Sequence, residues 1–275
     1  QAFEKGLEYG QLTKMKVDNM REEHNQKVIA QSEYQSAVAA DAMKKHEDEK
    51  PKNAPKKDFG FITIAAGEGL AEIFKGLGVD EVIQGGQTMN PSTEDILNAA
   101  DKINADTIFV LPNNSNIILA SNQAASIIED KKLVVIPTKT IPQGITAMIN
   151  FELTRSADEN EKAMLESLST VKSGQLTYAV RDTSIDGKEI KKDNYLGLGD
   201  KGLASVGTDM DDTLIDMLSE FVDDESELIS VYYGEDIDEN KAEELVSKIE
   251  EKFDGVDVEL QYGGQPVYYY IVSVE

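Results

Sequence analysis

Four short stretches concentrate the residue types that hold small polar groups: Ala66-Gly67-Glu68-Gly69, Gly85-Gly86-Gln87-Thr88-Met89-Asn90-Pro91-Ser92, Pro112-Asn113-Asn114-Ser115-Asn116 and Pro137-Thr138-Lys139-Thr140-Ile141-Pro142-Gln143-Gly144. Amides, hydroxyls and glycines dominate them, and Glu68 and Lys139 are their only charges. Edges of this kind suit hydrogen bonding to a backbone, a carboxylate or a small polar head better than acid–base chemistry. Lys139, between Thr138 and Thr140, has the type of an anion-binding or Schiff-base lysine. With no paired group beside it, a solvated loop lysine is the simpler reading.

In the second stretch Ser92 precedes a helical stripe and Asp95 follows three residues on. This S-x-x-D variant of the capping box lets hydroxyl and carboxylate satisfy free backbone amides. Pro91 fixes its own φ and biases Asn90 to extended geometry, while Gly85 and Gly86 supply positive φ. Gln87, Thr88 and Asn90 are not demanded by the turn and are candidates for touching a partner. A helix N-terminus binds anions, yet the pattern G-x-x-x-x-G-K-[ST] is absent and Gly67-Glu68-Gly69 is too short for G-x-G-x-x-G. The chain has no cysteine, and His24 and His46 lack the spacing of two ligands on one helix face. A cluster of Asp182, Asp186 and Glu189 near Arg181 resembles a carboxylate pair, but hairpin-turn chemistry accounts for Asp186-Gly187.

The loops follow elements that can position them. Phe59–Ala65, 82–84, 107–111 and 133–136 read as strands, and stripes from Ile73 to Leu77, at Ile96, Leu97, Ala100 and Ile103, and at Ile117, Ile118, Ala124, Ala125 and Ile128 read as helices between them. Apolar strands alternating with amphipathic helices imply a parallel sheet covered on both faces, and ligands then meet the carboxyl ends of the strands. In the second half, candidate strands cluster at 176–181, 188–190, 195–198 and 203–206 around turn signals, implying antiparallel hairpins. Helix 210–222, strand 228–233, helix 239–252 and strands 256–262 and 267–274 complete it. The fold class is α/β: a parallel-sheet lobe over 58–150 followed by an α+β lobe over 170–275. Before it come a helix end at 1–10, a short strand at 12–17, a connecting helix from about Asn19 to Lys50 and a Pro- and Lys-rich linker, 51–57.

A net charge of −25 on 275 residues disfavours nucleic acid. Between Val206 and Glu259 stand 20 acidic residues and three lysines, which reads first as a solvated face and second as an acidic docking surface. No run reaches the ~18–20 apolar residues of a membrane span and no secretory signal opens the chain, so a cytoplasmic protein is expected. The chain begins without Met inside what reads as a helix, so a fragment of a longer protein is expected.

The stretches AAGEGL (65–70), IQGGQTMNPSTEDIL (83–97), LPNNSNIILA (111–120), PTKTIPQG (137–144), GQLTYAVRDTSIDGKEIK (174–191), YYGED (232–236) and the ending YGGQPVYYYIVSVE resemble, in order, the C-terminal half of bacterial fatty acid kinase, a dihydroxyacetone-kinase-like family. NMREEH (19–24) resembles the end of that family's middle domain. The resemblance implies a DegV-like domain over 58–275, the end of a middle domain before residue 50, and a role in lipid metabolism and phospholipid synthesis. Mg-ATP belongs to an N-terminal domain that this sequence lacks, and the middle domain's Cys and paired His ligands have no counterpart, so no cofactor or metal is assigned to this chain. The implied partner is the separate acyl-binding, DegV-like protein, with a homodimer left open. QTMNPS resembles the loop that holds the fatty acid carboxylate in the acyl-binding relatives. Gln87, Thr88, Asn90, Ser92, Asn113, Asn114, Thr138 and Lys139 would then line a ligand- or partner-binding cleft.

Three functions compete on these grounds. The first is a non-catalytic module of a fatty acid kinase that docks the acyl-binding partner. The second is a small-ligand or lipid-binding domain with a polar cleft at the strand ends. The third, an independent enzyme built on Lys139 or a carboxylate, lacks a paired group.

Overall fold

The β-rich run FGFITIA sets the centre of the first lobe. In the computed structural model, which describes residues 56–86, 90–185 and 188–275, it lies in β1 (Lys57–Ala65), whose last six residues are buried. Around it stand β2 (Glu81–Gln84), β3 (Ala105–Leu111) and β4 (Lys132–Val135) in the order β2-β1-β3-β4, every pairing parallel. The connections are α1 (Glu68–Gly76), α2 (Thr93–Lys102) and α3 (Ser115–Ile127). The expected segments before residue 51, with His24 and His46, lie outside the described residues, as does most of the linker.

The capping box at α2 is present in full. Ser92 Oγ accepts from the Asp95 amide at 3.2 Å, and the Asp95 carboxylate accepts from the Ser92 amide at 2.8 Å. Ser92→Ala should therefore cost about 1 kcal/mol in urea unfolding and Ser92→Gly only a few tenths. Equal losses in both would place the stabilisation elsewhere.

After β4 the chain turns into α4 (Ile141–Ile149), then α5 (Ala157–Ser167). This corrects the reading of Ile141 to Gly144 as loop. Thr140 caps the helix, Pro142 sits in its first turn where no amide bond is lost, and Ile141, Ile145 and Met148 recur on its buried face. α5 has no counterpart among the expected elements, although Ser156 and Glu159 form a capping box at its start.

The second sheet contains β5 (Lys172–Tyr178), β8 (Tyr195–Gly199), β9 (Gly202–Gly207), β10 (Leu228–Tyr233), β11 (Asp257–Tyr262) and β12 (Tyr270–Val274), in the order β11-β10-β12-β5-β8-β9. Only β10 and β11 are parallel. β6 (Thr183–Ile185) and β7 (Lys188–Ile190) pair antiparallel as a separate two-stranded sheet, and Asp186 and Gly187 lie outside the described residues. Two strands differ from expectation. β5 begins at Lys172 and ends at Tyr178 instead of spanning 176–181, because pairing on both sides by β12 and β8 overrides the weak propensity of Ser173 and Gly174. β12 starts at Tyr270, since Val267 holds a φ of 73° that no strand residue adopts.

Strand alternation gives this sheet two faces. Leu176, Ile229, Val231, Tyr270 and Val272 pack with α6 (Met210–Phe221) and α7 (Glu239–Lys252) through Leu214, Met217, Leu245 and Ile249. Tyr232 and Ile271 point the other way and join the core of Phe61, Phe109, Leu111 and Ile141 beneath the first sheet. The two lobes are therefore joined by one core. Among the described residues no helix is long and apolar enough to cross a membrane.

Candidate functional site

The carboxyl ends of β1 to β4 face the second sheet across a cleft of about 260 Å³. Asn113 is the residue on which it is built. This side chain sits at the end of β3 with a φ of 53°, a conformation that Asn tolerates better than most residues. Its Nδ2 donates to Thr63 Oγ1 at 2.8 Å and to the Ile64 carbonyl at 2.9 Å, and its backbone amide donates to Thr138 Oγ1 at 2.9 Å. One residue thus ties together the ends of β1 and β3 and the loop after β4. Its Oδ1 is buried without a hydrogen-bond partner and lies against Gly144, where a Cβ would stand 2.2 Å from it.

Asn114 caps α3, its Oδ1 accepting from the Asn116 amide at 2.9 Å. Its Nδ2 donates to the Gly86 carbonyl, which fastens the glycine pair of the second loop to the third. Asn113, Asn114 and Lys139 line the cleft. Thr138, fully buried, holds Asn113 from below. Asn90 and Ser92 are exposed and do not line it, Ser92 being turned to the α2 cap. Gln87 and Thr88 lie outside the described residues.

The opposite wall comes from Gln175, Tyr268 and Ile271 of the second lobe, none of them anticipated. Thr140 and Ser173 bridge the lobes beside it with hydroxyls 2.8 Å apart. Burial raises the Tyr268 hydroxyl above its ordinary pKa, so it is a protonated donor at neutral pH. Burial pushes Tyr232 up to about 12 against the opposing hydrogen bond with Ser230, with Glu275 and Glu259 adding smaller upward effects.

The first loop is closed by protein. Leu70 donates its amide to the Gly263 carbonyl at 2.9 Å, and a Cβ on Gly69 would lie 1.9 Å from the Tyr262 carbonyl oxygen. Gly67 and Gly69 therefore exist so that the turn between β11 and β12 can pack backbone against backbone on α1. Of the carboxylates near Arg181, Asp182 accepts from the Lys192 amide at 2.7 Å, and Asp186 lies outside the described residues.

Electrostatically the cleft is unlike the rest of the molecule. Lys139 is the only charged side chain among the described residues that line it, and no carboxylate stands in its walls. The capped N-termini of α3 and α4 open beside it, at Asn114 and Thr140. A cation and two helix N-termini make a local site for an anion in a chain of net charge −25.

Residues 60–275 match the FakA-like C-terminal family, the C-terminal part of fatty acid kinases of that type. Protein YloV of Bacillus subtilis is 44% identical over 267 residues, which are 97% of this chain and 46% of that protein. The chain spans about half the length of the curated relatives it matches. Among solved structures, the DegV family protein Cg2579 from Corynebacterium glutamicum aligns with a TM-score of 0.58 at 11% identity, covering 79% of this chain and 97% of that one. The Streptococcus pneumoniae fatty acid kinase (Fak) B3 protein, described as loaded with linoleic acid, aligns with a TM-score of 0.54 at 12% identity over 80% of this chain and 99% of that one. These likenesses show a DegV-type α/β fold.

Proposed function

Because this chain belongs to the FakA-like C-terminal family of fatty acid kinases, we propose that it is a non-catalytic binding module of a fatty acid kinase, and that its strand-end cleft receives an anionic head presented by the acyl-binding partner protein. The observation that carries the reading is the cleft's electrostatics: Lys139 and the N-termini of α3 and α4 converge where no carboxylate lines the walls. A fatty acid carboxylate or an acyl phosphate has the charge that such a site takes. Asn90 and Ser92, exposed between β2 and α2, are where a docked protein would touch this lobe; Gln87 and Thr88, the other candidates of that stretch, lie outside the described residues. Residues before 51 belong in this reading to the end of a middle domain, and Mg-ATP to a separate N-terminal domain of the whole kinase.

A second reading keeps the ligand without the partner: a lipid-binding domain, favoured by the DegV-type fold and by neighbours described as holding or binding fatty acids. The size of the cleft weighs against a long tail within it. At about 260 Å³ it falls below the roughly 300–1,000 Å³ of sites that enclose drug-sized ligands, and Gln175 on the far wall is polar.

Calorimetric titration with the purified acyl-binding partner, loaded and empty, tests both. Docking is expected to be saturable and tighter for the loaded partner, and Lys139→Gln should weaken that preference by roughly ten- to a hundredfold, the effect of losing one charge-assisted contact worth about 1.5–3 kcal/mol. No binding of either form would reject the docking role. A fatty acid that binds this chain alone with millimolar or better affinity would move the lipid-binding reading ahead.

A further inference from the structure

Away from the cleft, the second sheet carries a groove between its edge strand β11 and helix α7, about 470 Å³ in volume. Its floor is a cross-strand pair of tyrosines. Tyr233 and Tyr262 stand opposite each other in the β10–β11 register with ring centroids 5.2 Å apart. Tyr233 is nearly buried while Tyr262 is 46% exposed. Leu260 and Val246 add an apolar side, and Glu239 and Glu243, one helical turn apart on α7, form the rim.

Neither rim carboxylate has an ion-pair partner among the described residues, and Lys248, five residues beyond Glu243, is paired with Asp211 at 2.6 Å. Burial first, then Glu239, Tyr262, Glu243 and Asp238, raise the pKa of the Tyr233 hydroxyl, so the carboxylates already bear on the aromatic floor. The groove also lies within the stretch of 20 acidic residues and three lysines. Aromatic rings beneath unpaired carboxylates select a planar cation, which stacks on the ring face and donates to the rim at once. An ammonium satisfies only the second requirement in full.

We propose that the groove between β11 and α7 is a docking site for an arginine side chain on the surface of a partner protein. Tyr262 stacks on the guanidinium, and Glu239 and Glu243 accept its N–H donors. Tyrosine and arginine are the residue types that dominate interface energetics, and the long-range field of the acidic stretch adds steering to the contact. No cleft residue takes part, so this site stands or falls apart from the cleft reading.

Fluorescence anisotropy of a labelled, N-acetylated tri-arginine peptide against the full chain tests it, with tri-lysine as comparison. The arginine peptide should bind at least threefold more tightly than the lysine peptide. Glu239→Gln with Glu243→Gln should weaken it about tenfold, whereas Glu250→Gln with Glu251→Gln, the same charge change at exposed positions on the end of α7, should change it less than twofold. Tyr262→Ala should cost about fivefold at unchanged charge, and Lys139→Gln should leave it unaltered. Equal losses in the two double variants, or equal affinity for the two peptides, would reduce the binding to bulk acidity and overturn the proposal. If Tyr262→Ala does not fold, the two double variants decide alone.

Discussion

Gly69→Ala is expected to destabilise this chain by about 3 kcal/mol or more, at or beyond the upper end of the ordinary cost of overpacking. The new Cβ would lie 1.9 Å from the Tyr262 carbonyl oxygen and 2.7 Å from its carbonyl carbon. Backbone atoms cannot rotate aside as a side chain tip does. Relief requires the β11–β12 turn to lift, which breaks the bond from the Leu70 amide to the Gly263 carbonyl and opens the seam between the lobes. In a domain of this size the loss corresponds to a melting temperature lower by roughly 6–12 °C. Gly76→Ala is the matched control. It ends the same helix, meets nothing within 4 Å and has no positive φ, so it should be neutral or stabilising by up to about 1 kcal/mol. Thermal and urea unfolding of the pair decide the matter, and similar stabilities would show that the turn does not rest on α1 as described.

That contact marks the boundary of what the sequence could tell. The first lobe was legible because its signals are local: an apolar run of seven for β1, stripes at helical spacing for α2 and α3, and S-x-x-D at the cap. α5 is hard to see despite Ser156 and Glu159, since its apolar stripe is thin, Met164 alone being a fully buried hydrophobic residue on it. The start of β5 was illegible for a different reason. Ser173 and Gly174 become strand only through neighbours on both sides, and pairing partners leave no mark within the strand's own residues.

The candidate site divides in the same way. Asn113, Asn114 and Lys139 were visible as polar residues after strands, and these three line the cleft. Gln175, Tyr268 and Ile271 were not, because a wall contributed by a second sheet depends on how two lobes are packed. Gly67 and Gly69 do open a helix, as the N-cap and first turn of α1, but their tightest constraint, the far turn pressed against them, has no mark in the local sequence. A glycine imposed by a distant backbone and one imposed by its own φ read alike in sequence.

Asn113→Ala should cost about 3 kcal/mol and should show how much of the cleft is held by one amide. The substitution removes donors to Thr63 Oγ1 and the Ile64 carbonyl, each worth about 1 kcal/mol when a buried partner is left short. It also places alanine at a φ of 53°, where a Cβ residue without a local polar side chain pays roughly 1 kcal/mol. Asn113→Gly restores the backbone freedom and should recover that last part alone, so the difference between the two variants isolates conformation from hydrogen bonding. Asn113→Asp keeps the shape but turns a carboxylate oxygen toward the Ile64 carbonyl, acceptor against acceptor. Its folded-state pKa should rise above the unfolded value of about 3.9. The penalty is then small below that value, where the protonated acid can still donate one bond, and grows as pH climbs toward the folded pKa. Urea unfolding of Asn113→Asp at pH 4 and pH 7 reads this directly. A deficit against the parent chain that is the same at both pH values would mean that the amide nitrogen does not face the carbonyl, and with it the assembly of β1, β3 and the loop after β4 around Asn113 would have to be abandoned.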